Sequence, residues 1–193
     1  MAHNQDWREW LESLNASGVE YVVVGGIALA HHGVVRYTGD IDVLVRAVPA
    51  NAERTLAALR RFGFGSLSLT AADLSTPDRV VQLGFSPGRI DVLTSIDGLT
   101  WDEVDAGAVA GDYGGVPVRF ISREDLIRTA ERARSRRSDG SRLPSLVHAR
   151  ALTPSACRRR PAPGPPSASL PRAARGSRPS TRGANPAVRH RHS

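Results

Sequence analysis

With 193 residues the chain has room for one ordinary domain, or a smaller domain plus a tail, and excludes two full-sized domains. Residues 1–126 carry ten Arg against seventeen Asp and Glu, a formal charge of −7, whereas residues 127–193 carry sixteen Arg against two acids, or +14, so the net +7 sums two unlike segments. All 26 basic residues are Arg, which excludes a lysine phosphate ligand or Schiff base, and the single Cys157 excludes an intramolecular disulfide and a cysteine-based zinc site.

The N-terminal Met-Ala-His-Asn-Gln-Asp-Trp lacks a basic region followed by an apolar run, and no stretch reaches the roughly 18 to 20 apolar residues of a membrane span. A soluble, cytoplasmic protein is expected. Trp7, Trp10, Leu11 and Leu14 recur at helical spacing and predict a helix over about residues 6–15, closed by Ser17-Gly18. The two tryptophans belong to its buried stripe rather than to a base-stacking platform. Tyr21 to Val24 is an apolar run, β-branched apart from its tyrosine, that stops at Gly25-Gly26 as a buried strand would. Residues 27–32 fit a short helix stopped by Gly33, which makes His31 and His32 helix-terminal residues rather than catalytic ones.

Residues 40–46 read as the next strand, and Pro49 opens an Ala/Leu/Arg-rich helix over about 51–62, ended by Gly63. Strands follow at 80–85, 90–94 and 116–121, with Ser86-Pro87-Gly88 turning the first two into a hairpin. Ser122-Arg-Glu-Asp125 has the form of a helix N-terminus. Strands interleaved with helices, plus a hairpin, predict an α/β fold, a mixed sheet flanked by helices. Apolar periodicity fades after Ile127, and nine of the thirteen prolines lie in the last 67 residues. The expected organisation is therefore a folded domain over 1–130 and an Arg/Pro-rich disordered tail over 131–193.

Side chains on a strand alternate faces, so Asp40 and Asp42 project together while Ile41, Val43 and Val45 project to the other side. A bound Mg²⁺ or Mn²⁺ relieves the repulsion of such a pair. Arg89-Ile-Asp-Val-Leu93 repeats the acid-within-apolar pattern, and a neighbouring strand about 5 Å away would let Asp91 join. Three converging carboxylates could hold two metals about 3.5 to 4 Å apart, the arrangement that clamps both oxygens in phosphoryl or nucleotidyl transfer. The Gly25-Gly26 turn at a helix start offers backbone N–H groups to phosphate oxygens.

The segment from Val22 through Gly25-Gly26, Arg36, Thr38 and Asp40-Ile-Asp42 to Val45 resembles small bacterial nucleotidyltransferase-like proteins of the DNA polymerase β superfamily, which include abortive-infection and toxin–antitoxin components. The resemblance covers residues 18–128. It implies a polymerase β-like nucleotidyltransferase fold, metals held by Asp40, Asp42 and Asp91, and Asp91 helping to deprotonate the acceptor hydroxyl. Phosphate would be cradled by Gly25 and Gly26, Arg36 would steady the triphosphate or anchor the loop, and Thr38 would orient the approach to Asp40. Where the superfamily usually has Gly-Ser, this chain has Gly25-Gly26, as in the toxin-like branch. Relatives also continue into an Asp-Leu-x-Asp-Leu-x-x-Leu stretch that is replaced here by Arg137-Ser-Asp-Gly-Ser-Arg-Leu143, so the sequence after about Arg128 reads as a frameshift product.

Three functions compete at this point. One is an enzyme that moves a nucleoside monophosphate from a nucleoside triphosphate to a hydroxyl of protein, RNA or a small molecule, with a cognate toxin or antitoxin as partner. Another is a binding or regulatory module with the same fold and no turnover. The last is a nucleic-acid-binding protein that relies on its basic tail, against which stand the negative charge of residues 1–126 and the lack of any aromatic after Phe120.

Overall fold

The computed structural model describes residues 4–34, 37–139 and 145–149. Asn4 caps helix α1 (Gln5–Ala16), its side-chain oxygen accepting from the backbone N–H of Asp6 and Trp7. The stripe at Trp7, Trp10, Leu11 and Leu14 is buried as its spacing predicts. Trp10 is wholly enclosed against Phe62, with ring centroids 5.5 Å apart. Burial of a side chain of this kind stabilises the fold by roughly 1.5–3 kcal/mol.

Strand β1 (Tyr21–Val24) runs directly into α2 (Gly25–His31), and β2 (Asp40–Val45) returns antiparallel to β1. Helix α3 (Pro49–Leu59) continues into one π-helical turn at Arg60–Phe64, where Gly63 takes a φ of 106° that breaks the helix as expected. A short α4 (Ala71–Ser75) precedes the hairpin of β3 (Arg79–Leu83) and β4 (Arg89–Leu93). Then come α5 (Trp101–Gly107), β5 (Val109–Tyr113), β6 (Val116–Phe120), α6 (Arg123–Asp139) and β7 (Ser145–Ala149).

The strands form one seven-stranded mixed sheet in the order β5-β6-β1-β2-β4-β3-β7. β1 lies inside it, between β6 and β2, so all four of its side chains are buried and its sequence shows no polar alternation. The domain boundary expected at residue 130 falls inside α6, and β7 pairs in parallel with β3. The remainder of the expected tail, 140–144 and 150–193, lies outside the described residues.

Four elements were not anticipated. α4 and α5 each start on a capping box, Thr70 with Asp73 and Thr100 with Glu103, a signal present in the sequence. β5 is a largely exposed edge strand without apolar alternation, joined to β6 by Gly114-Gly115, both at positive φ. β7 is the fourth. The histidines behave as a helix terminus: His31 stacks on Phe120 with centroids 4.0 Å apart, and the His32 Nε2 lies 2.8 Å from the Ile121 carbonyl.

Candidate active site

β2 and β4 lie side by side and parallel, in a register that pairs Asp40 with Arg89 and Asp42 with Asp91. Alternation then sends all four of these side chains to one face, while Ile41, Val43, Ile90 and Val92 are buried on the other. The result is a two-by-two block of three carboxylates and one guanidinium. β3 adds Gln82, the register partner of Asp91, whose Nε2 donates to Asp91 Oδ2 at 3.3 Å.

The guanidinium of Arg89 bridges the block. Its Nε donates to Asp91 Oδ1 at 2.9 Å and its Nη2 to Asp40 Oδ2. Arg89 stands two residues before Asp91 on the same strand, so period-two alternation in the sequence already puts the two on one face. The acid-within-apolar pattern points to Asp91 and leaves Arg89, two residues before it, unmarked. Among the described residues, no group of three or more His, Cys, Asp or Glu side chains is arranged to hold a metal ion. Arg89 engages oxygens of two of the three carboxylates.

Among the described residues Asp42 has no ion-pair partner. Burial, followed by the charges of Asp40 and Asp91, pushes its carboxyl up to about 7, against which Arg89 and a hydrogen bond from the Gly26 N–H work only in part. Asp91 is also raised by burial, with Arg89 and Gln82 opposing.

The turn from β1 into α2 crosses directly over this pair, because Val24 is the register partner of Asp42. Gly25 has φ +64°, and a Cβ there would lie 2.0 Å from Asp42 Oδ2, so both backbone conformation and space require glycine. At Gly26 a Cβ would meet the Cβ and Oγ1 of Thr38 at 2.9 and 3.0 Å. The Thr38 hydroxyl in turn donates to Asp40 Oδ1 at 2.6 Å. The fold thus brings together Gly25, Gly26, Thr38, Asp40, Asp42 and Asp91. Arg36 lies outside the described residues.

Comparison with known proteins gives this geometry a family. Residues 3–150 match the model of the family described as nucleotidyl transferase of unknown function (DUF2204). The chain belongs to that family. A search of curated proteins found no match. Among solved structures, the fold is similar to a Thermotoga maritima protein provisionally assigned as a nucleotidyltransferase, at 14% identity and a TM-score of 0.51, covering 69% of this chain and 86% of that one. At that identity the likeness is one of fold. Among the described residues no helix is long and apolar enough to cross a membrane.

Proposed function

We propose that this chain transfers a nucleoside monophosphate from a nucleoside triphosphate to a hydroxyl of a protein, RNA or small-molecule acceptor, with Mg²⁺ or Mn²⁺ held at Asp40, Asp42 and Asp91. The observation that carries the reading is the parallel β2–β4 register, which sets Asp42 beside Asp91 and all three acids on one face. The oxygens are of the hard carboxylate kind that such an ion takes, although with Arg89 across Asp40 and Asp91 the side chains are not arranged to hold one; among the described residues Asp42 makes no ion pair. When bound, the ion supplies neutralisation of the carboxylates and polarisation of the phosphate.

The chain's own residues do the rest. Thr38 fixes one oxygen of Asp40, and the Gly26 N–H steadies Asp42. Gly25, lacking a side chain, leaves the approach to Asp42 open. Asp91, steadied by Gln82, is assigned to take the proton of the acceptor hydroxyl. By resemblance Arg36 steadies the triphosphate. A toxin–antitoxin or phage-defence setting, with a cognate partner protein, is the finer part of the proposal and rests on the resemblance.

Incubation with α-phosphate-labelled nucleotides and candidate acceptors tests this reading. Labelling that needs Mg²⁺ or Mn²⁺ and disappears in Asp42→Asn is expected, and equal labelling by wild type and variant refutes it. One observation favours a second reading, a nucleotide-binding module without turnover: Arg89 already engages two of the three acids. Triphosphate binding with no labelled acceptor under any metal would select it.

A further inference from the structure

An arginine inside a carboxylate cluster is either a fixed buttress or an exchangeable cation, and the surroundings of Arg89 bear on which. Its contacts within the block are both to acids, Asp40 Oδ2 and Asp91 Oδ1, the same kind of oxygen a hard divalent cation takes. A guanidinium does not lose its proton at any ordinary pH, so it cannot make room for a second cation by neutralising and has to move. Movement is open to it, since the side chain is 32% exposed while Asp91 beneath it is only 8% exposed. Arg89 is also the first residue of β4, directly after Gly88, at the end of the strand.

We infer that Arg89 is a built-in, displaceable counter-cation: it occupies Asp40 and Asp91 in the metal-free protein, gives way to the divalent ion, and then pairs with the phosphates of the nucleotide that arrives with that ion. The inference rests on the metal reading above. The exchange conserves contacts of one kind, because a guanidinium fork matches a phosphate as well as it matches a carboxylate. Its consequence is coupling. Metal alone must evict Arg89 without compensation and so binds poorly, whereas metal with triphosphate gives the displaced guanidinium a new anion. Arg89 is accordingly a positioning and specificity residue for the metal–nucleotide pair.

The test is a Mn²⁺ titration of the full chain, followed by electron paramagnetic resonance, with and without a non-hydrolysable triphosphate. Wild type is compared with Arg89→Gln and Arg89→Met, the second of which keeps an apolar stem in case the first fails to fold. For either folded variant, Mn²⁺ alone should bind about tenfold tighter than to wild type, the scale of removing one nearby like charge. The strengthening of Mn²⁺ binding by triphosphate should be large in wild type and mostly lost in the variant. Unchanged or weaker Mn²⁺ binding in a folded variant overturns the inference and leaves the metal reading intact. Equal Mn²⁺ uptake by wild type and an Asp40→Asn, Asp42→Asn double variant overturns the metal reading, and this inference with it.

Discussion

Each end of β2 carries an arginine–carboxylate network, and the two are built with opposite stoichiometry. At the start of the strand one guanidinium serves Asp40 and Asp91, and Asp42 is left over. Just past its end one carboxylate, Glu20, serves two guanidinium groups, Arg46 at 3.0 Å and Arg54 at 2.6 Å. Beneath that second network the fully buried Asn51 accepts from the Glu20 N–H and donates to the carbonyls of Glu20 and Arg46, fastening α3 to both strands. The Glu20 network has no surplus negative charge, and it serves as a clasp. The Asp40 block has a surplus that no described residue neutralises, which is the electrostatic condition for binding a cation.

The comparison breaks most visibly in activity. Asp40→Asn combined with Asp42→Asn should lower nucleotidyl transfer by about 10³-fold or more, while Glu20→Gln should leave it within about twofold, as followed by labelled-nucleotide incorporation. Comparable losses in the two variants would erase the distinction between block and clasp. The next effect is on stability. Gly25→Ala places a Cβ against Asp42 at positive φ and should cost about 2–4 kcal/mol in a urea melt. A change under 0.5 kcal/mol would show that the turn does not pack on Asp42.

A third test uses pH. In the folded protein Asp42 is raised to about 7 from an ordinary 3.8, so between those values the folded state keeps a proton that the unfolded chain has lost. Stability contributed at this position therefore falls as pH rises through that window. Asp42→Asn should be more stable than wild type at pH 8, by on the order of 2 kcal/mol, with the gap closing toward pH 4. A gap that widens on acidification would reverse the assignment. The smallest effect belongs to the clasp: Glu20→Gln should cost about 0.5–1 kcal/mol, and less in high salt, because its ion pairs are exposed.

The sequence showed Asp40 and Asp42 on one face because that relation needs only the two-residue repeat of a strand. Asp91 was harder to place, since its position beside Asp42 depends on β4 entering the sheet next to β2, a tertiary choice that no local pattern encodes. Arg89 was legible by the same repeat as Asp40 and Asp42, and was missed because an arginine beside a turn reads as a solvated residue until its partners are known. Local signals also explain the uneven reading of the fold. β1, β2 and the β3–β4 hairpin are marked by apolar runs and turn residues. β5 is exposed and lacks alternation, and α4 and α5 are too short to show a helical stripe.

The contact between Gly26 and Thr38 couples two positions twelve residues apart in the chain. A lineage that acquires serine at position 26 meets Thr38 at 2.9 Å and must first trim that residue or shift its loop, and trimming it surrenders the hydroxyl held on Asp40. In this chain Gly26→Ser alone is therefore expected to strain the turn unless Thr38 or its loop gives way.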